Sequence, residues 1–330
     1  MTTLWDTTGT AVVKALAAER RQAGSVSSGL ALTLVVVVDE KHVAEAEAAA
    51  TRAAAQHPCR LLVVVRRRPD AEDPRLDAEV LIGGRLGPGE AIVMRMYGRL
   101  ALHAESVVLP LLAPDAPVVT WWYGEPPTRI AHDPLGVFAE RRITDCSLSD
   151  RPLEALAGRA ADYAPGDTDL GWTRTTLWRA LCASAFDSVE GQVRRAQVSG
   201  APGHVTRSLL AGWLTSRLGI QVDMVDAKGS GLSAVELEVE GTTVRVTRGT
   251  GSGAVLSRTG QPDRTLPLPR RELGDLLAEE LRRLDPDEPY AEALEAATGT
   301  SGLSDRSPLR THVWHDPVES ANPDPALTVT

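Results

Sequence analysis

LALTLVVVVD, residues 30–39, decides the fold. The run is β-branched and apolar on both faces, so it reads as a strand covered on both sides of a sheet. The next segment, 40–56, is alanine-rich and reads as a helix. His57-Pro58 ends it, because proline disfavours helical backbone in the residue before it. RLLVVVR, residues 60–66, is a second buried strand. The β-α-β order predicts a parallel pair joined by a right-handed crossover. Upstream, Val12, Val13, Leu16 and Ala17 share one face of a helix over 10–21.

Downstream, strands are expected at 76–82 and 91–97, around the loop GGRLGPGE, then a helix at 104–112 and a strand at 118–122. A helix over 134–141 and a short strand over 142–146 complete an α/β domain with a largely parallel sheet, residues 1–150. Residues 151–297 form a second α/β domain, a mixed sheet with flanking helices. Its helices are expected at 153–162, from about 167 to 187, and at 204–218, 272–284 and 288–297; its strands at 194–199, 220–225, 233–240, 243–248, 254–258 and 264–268. From 298 to 330 the chain is polar, aperiodic and rich in Pro, Ser and Asp, which predicts a disordered tail.

The 330 residues suffice for two such domains, and 43% hydrophobic with 24% charged residues can build a sizeable core. A net charge of −9, with no basic cluster to reverse it locally, argues against nucleic acid as a partner. Cys59, Cys146 and Cys182 are widely spaced and form no C-x-x-C pair, which fits a reducing cytoplasm. No apolar run is long enough to span a bilayer and no signal peptide is visible, so a cytoplasmic protein without membrane contact is expected.

Few motifs point to chemistry. RGTGSGA, residues 248–254, loosely matches a dinucleotide fingerprint, but a short strand follows it where a helix is needed, so a hairpin loop is expected. No phosphate-binding G-x-x-x-x-G-K-[ST] loop and no G-x-S-x-G elbow occurs. His312 and His315 lie in the tail without a second ligand pair, and His57 with Cys59 are chain neighbours at a strand entry. No catalytic, cofactor-binding or metal-ligating residue is therefore assigned, and no cofactor is expected.

Two aromatic groups stand out instead. In YAPGDTDLGWTRTTLWRALCASAFD, residues 163–187, Asp167, Thr168 or Asp169 can cap a helix. At about 100° per residue, Leu170, Leu177, Trp178, Leu181, Cys182 and Ala185 share the core face. Trp172 falls nearly opposite, over Arg179. That second face either packs on the other domain or holds a partner, since Trp and Arg are enriched in binding hot spots. Trp121, Trp122, Tyr123 and Gly124, at the end of a parallel strand, offer a similar choice between core and contact. The partner-contact candidates are Trp121, Trp122, Tyr123, Gly124, Trp172, Arg174 and Arg179. An alternative places a nucleotide or sugar-phosphate site at the end of the first sheet, near Trp121 and Gly83-Gly84.

PLLAPDAPVVTWWYGEPP (110–127), RRITDCS (141–147), APGDTDLGWTRTTLWRALCASAFD (164–187) and PLPRRELGDLLAEELRRLDPDEPYAEAL (267–294) together resemble the glucose-6-phosphate dehydrogenase assembly protein family, OpcA. HPCRLLVVVR (57–66) fits its N-terminal half. The resemblance runs in order over about residues 5 to 297, and DTDLxWTRxTLWR is its most specific part. It implies a non-enzymatic protein that binds glucose-6-phosphate dehydrogenase, favours its active oligomer and raises its activity, at the entry to the oxidative pentose phosphate pathway and its NADPH supply. Thiol redox control, linked to photosynthetic members, is not carried over, because the paired cysteines are missing here. Self-association is left open.

Overall fold

The computed structural model describes residues 1–23, 30–83, 89–186 and 191–308. The run 30–39 folds as expected: β2 (Leu32–Asp39) is buried from Leu32 to Val38. It lies parallel to β3 (Cys59–Arg67) on one side and to β6 (Val118–Tyr123) on the other. The helix between β2 and β3 is α2 (Val43–Ala54), entered through a short 3-10 turn. The eight-stranded sheet adds β1 (Thr2–Leu4), β4 (Arg75–Ile82), β5 (Glu90–Tyr97), β7 (Arg141–Thr144) and β8 (Asp167–Asp169), in the order β1-β4-β5-β3-β2-β6-β7-β8. β5 and β7 continue the parallel arrangement, and only β4 runs against it. Strands this central meet no water on either face, which is why they read as unbroken apolar runs.

One face of the sheet is covered by α1 (Gly9–Gln22) together with the short helices α3 (Arg99–Leu102) and α4 (Glu105–Val108). The other is covered by α2 and by α9 (Leu273–Glu280), whose Leu276, Leu277 and Ala278 enter the same core as Val36 and Val63. Gly274 lets α9 approach α2 closely: a Cβ there would sit 2.7 Å from Arg52 Cβ and 2.9 Å from the Ala49 carbonyl oxygen. The segment past residue 150 thus supplies the first sheet with both its last strand and a covering helix. A buried ion pair holds that helix in place. Arg141 on β7 donates through Nε to Glu280 Oε2 at 2.9 Å and through Nη1 to the Asp285 carbonyl at 3.0 Å. Thr173 donates to the other Glu280 oxygen at 2.6 Å, and both charged residues are buried.

The second sheet has six strands in the order β10-β9-β11-β12-β13-β14, formed by β9 (Val193–Gly200), β10 (Val222–Asp226), β11 (Leu232–Val239), β12 (Thr242–Arg248), β13 (Gly253–Arg258) and β14 (Gln261–Pro267). Only β9 and β10 are parallel, so the sheet is mixed, as expected. Residues 248–254 fall at the β12–β13 hairpin, whose turn contains Gly251 at φ +66. α7 (Thr176–Phe186) and α8 (Val205–Leu218) cover one face. The other face carries a ladder of charges, with Arg195 beside Asp223 at 2.9 Å and Arg245 beside Glu236 at 3.4 Å.

A fourth apolar cluster joins α5 (Pro152–Asp162), α6 (Leu170–Thr173), α8 and α10 (Glu288–Thr298) through Leu156, Tyr163, Trp172, Leu209 and Tyr290. α8 and α10 meet at Gly212, where a Cβ would lie 2.2 Å from the Ala293 carbonyl oxygen. None of the described helices is long and apolar enough to cross a membrane.

Three expectations are corrected. The helix expected over 134–141 is absent: residues 134–138 are turns and Arg141 already belongs to β7, and Gly136 folds so tightly on residue 130 that a Cβ would sit 1.8 Å from the Ile130 oxygen. The helix expected from residue 167 onward is broken. Asp167–Asp169 is a strand, α6 ends at Thr173, and α7 begins at Thr176. The first residues assigned to the tail pack on the fold, since Leu303 is fully buried and Arg306 donates to the carbonyls of Ala161 and Tyr163 at 3.0 and 2.9 Å. Residues 309–330, with His312 and His315, lie outside the described residues.

Candidate functional site

The signature DTDLGWTRTT folds at the carboxyl edge of the first sheet, and its polar groups are used inside the protein. Asp167 accepts from Arg142 and from the Ala164 N–H. Asp169 is fully buried and accepts from the Thr144 hydroxyl at 2.9 Å and from the N–H groups of Cys146 and Gly171 at 2.8 Å. It therefore ends β8, caps α6 and fixes the chain after β7 at once. Burial, reinforced by the charge of Asp145, pushes its carboxyl above the usual range. Trp172 Nε1 donates to Asp287 at 2.8 Å, and Thr175 closes the helix break by donating to the Trp172 carbonyl at 2.6 Å. Arg174 forms a two-pronged pair with Asp145, at 2.9 and 2.6 Å.

Of the two readings left open for the four aromatic candidates, core or contact, the structure takes core. Trp121, Trp122 and Tyr123 are buried because β6 is a central strand with helices on both faces. Trp172 is 1% exposed. α10 and the turn before it cover the face that carries Trp172, which joins Tyr290 at a ring separation of 5.9 Å and bonds to Asp287. Arg179 does lie over Trp172, 3.7 Å from the ring centre. Gly124, Arg174 and Arg179 keep partial exposure.

The alternative site near Trp121 and Gly83-Gly84 does not assemble. Because β4 runs antiparallel, Gly83 follows its last residue at the opposite edge of the sheet from Trp121 and Gly124, and Gly84 lies outside the described residues. The strand order reverses between β2 and β6, the usual ligand crevice of such sheets. There the rings of His42 and Tyr123 meet edge to face at 5.6 Å.

The structure instead forms a cavity of about 370 Å³ between the helix break, the N-terminus of α8, the β11–β12 end of the second sheet and the start of α9. Arg174, His204, Arg248, Arg270 and Arg271 line it, with Thr206 and Ser230, over an apolar floor that includes Trp178 and Leu276. Its lining includes no carboxylate among the described residues. Asp145 neutralises Arg174 from behind, and Glu279 neutralises Arg271. Among the described residues, Arg248 and Arg270 hydrogen-bond to carbonyl oxygens alone, those of Leu232 and Leu268 for Arg248 and that of Ser230 for Arg270. Burial, then the neighbouring charge of Arg270, lowers the pKa of Arg248. Burial, then the charges of Arg174 and Arg207, lowers that of His204. Sequence reasoning missed this site because its arginines are dispersed over some hundred positions; only Arg270-Arg271 are adjacent.

Two family models match the chain. Residues 50–161 match one described as the glucose-6-phosphate dehydrogenase subunit N-terminal domain, and residues 165–294 match its C-terminal counterpart. A protein of Synechocystis sp. (strain ATCC 27184 / PCC 6803 / Kazusa), named for the OxPP cycle as OpcA, is 27% identical over 183 residues. That match spans 50% of this chain and 38% of the relative. Among solved structures, the 3-ketoreductase KijD10 of Actinomadura kijaniata has a TM-score of 0.45 at 13% identity, covering 82% of this chain and 95% of that one. Biliverdin reductase of Synechocystis sp. PCC 6803 has a TM-score of 0.36 at 11% identity, covering 82% and 98%. Neither of these two likenesses bears on function.

Proposed function

Since the chain belongs to the OpcA family of glucose-6-phosphate dehydrogenase assembly proteins, we propose that it binds that dehydrogenase, favours its active oligomer and raises its activity without chemistry of its own. The carrying observation is that the two family models, one after the other, account for most of the chain. The signature supports the same reading. Its carboxylates and threonines serve as caps and braces within the fold, which suits a scaffold for an interaction surface more than a reaction centre. A protein that only binds shifts activity by holding the active form of its partner more tightly than the inactive form.

The contact surface follows from what remains exposed. Arg179 is held over Trp172 and has no carboxylate partner among the described residues, so it offers a positioned charge to an acidic group. Trp5 is 68% exposed, a residue type that dominates interface energetics. Sequence reasoning passed over it; its signal is a tryptophan just ahead of α1, away from any apolar periodicity.

The test is co-purification with the dehydrogenase of the same organism, followed by its KM and kcat with and without this protein. A complex with altered kinetics is expected, and Trp5→Ala and Arg179→Ala should weaken it while leaving the thermal midpoint near that of the parent. Absence of both a complex and a kinetic change refutes the reading.

A further inference from the structure

We propose that the cavity at the N-terminus of α8 is a binding site for the phosphoryl group of a small soluble metabolite, a site independent of the assembly role. Three separate observations converge on it.

The first is charge. Among the described residues, Arg174 and Arg271 have carboxylate partners and Arg248 and Arg270 have none, so the latter two bring uncompensated positive charge to a half-open pocket. Guanidinium groups suit phosphate oxygens because their planar N–H pairs match them in spacing.

The second is the helix. α8 has 14 residues, no acidic residue in its first turn, and an N-cap, His204, that makes no side-chain capping bond. The Arg207 N–H already donates to the His204 carbonyl at 3.0 Å, so the N–H groups ahead of it and the positive end of the helix dipole are what is left for an anion.

The third is an unsatisfied hydroxyl. Thr206 is 3% exposed and lines the cavity, and its Oγ1 is buried without a hydrogen-bond partner among the described residues. The Nδ1 of His204 beside it is in the same condition. A buried polar group left unpaired is destabilising, and a phosphoryl oxygen supplies the missing partner.

The cavity also limits what can carry the phosphate. Its volume of about 370 Å³ lies at the small end of ligand pockets, roughly 300–1,000 Å³. That favours one small phosphorylated molecule over a dinucleotide. Trp178, with Arg248 5.3 Å from its ring centre, provides an apolar wall for a carbon skeleton. Gly231, at φ +111, lets backbone approach the ligand without a side chain between.

The experiment is a thermal-shift and calorimetric titration of the full chain with inorganic phosphate, a hexose 6-phosphate and the unphosphorylated hexose, each at matched ionic strength. A ligand of the folded state raises the midpoint in a saturable way. Saturable shifts with the phosphorylated compounds and none with the free hexose are expected. A stronger response to the hexose phosphate than to phosphate identifies the metabolite as the source; equal responses support the phosphoryl site alone. Thr206→Val keeps the shape and removes the hydroxyl, and Arg270→Met changes an exposed side chain, so both should fold. Each should weaken binding about tenfold or more, in line with a hydrogen bond to a charged group. A shift no larger than that of sodium chloride, or one undiminished in both variants, overturns the assignment.

Discussion

Replacing Glu280 by alanine should destabilise the protein by about 3–5 kcal/mol, the cost of leaving a buried charge without its partner. The carboxylate sits where three parts of the chain meet: Arg141 on β7, Thr173 at the end of α6, and α9 itself. Its removal strands a guanidinium with 4% side-chain exposure that keeps, among the described residues, the Asp285 carbonyl alone, and it leaves Thr173 only its longer bond to the Asp169 carbonyl at 3.4 Å. Total stability is typically about 5–15 kcal/mol, so the loss should be plain in urea unfolding followed by tryptophan fluorescence. The double variant Arg141→Met, Glu280→Leu removes both charges. It should be far less damaging than the sum of the single changes, because most of each single penalty is the charge left behind. A Glu280→Ala cost below about 1 kcal/mol, or a double variant that is simply additive, would refute the view that this pair fastens α9 to the sheet.

Gly212→Ala should destabilise by about 1–3 kcal/mol, since the added methyl meets the Ala293 carbonyl and α8 and α10 must part; a thermal midpoint equal to the parent's contradicts that packing. Burial pushes the Cys59 and Cys182 thiols up to about 12 and raises Cys146 as well, so a thiol reagent read by mass spectrometry should label none of them in the folded chain and all three after denaturation. Burial and Arg174 depress His204, so the unfolded chain binds a proton there before the folded one does. Its contribution is present above about pH 6.5 and is lost as pH falls toward the lower folded value, with a slope of at most about 1.4 kcal/mol per pH unit. His204→Gln should flatten that part of the stability curve, and an unchanged acid limb shows that His204 is not its source.

The sheet strands were legible because burial on both faces leaves an unbroken apolar run, as in Leu32–Val38. The helix break at residues 174 and 175 was not, since neither glycine nor proline marks it. Its signal is the cluster Thr173, Thr175 and Thr176, whose hydroxyls bond to nearby backbone or acidic groups and so compete with a continuous helix. The helical spacing does place Trp172 over Arg179; that α10 covers this face is set by tertiary packing and leaves no mark on the helix itself. The docking of α9 on α2 was equally hidden: an amphipathic stripe declares that it will be covered, not by which sheet. The basic cavity is assembled by tertiary folding from arginines that, one by one along the chain, look like solvated charges.

The placement of α9 also bears on how the protein is made. The alanine face of α2 and the apolar residues of β2 and β3 beneath it are covered by Leu276, Leu277 and Leu281, so the segment from β2 to β3 leaves the ribosome with that flank bare. Its native cover arrives only once α9 has been made, long after α2, and until then the nascent chain exposes surface of the kind that chaperones hold.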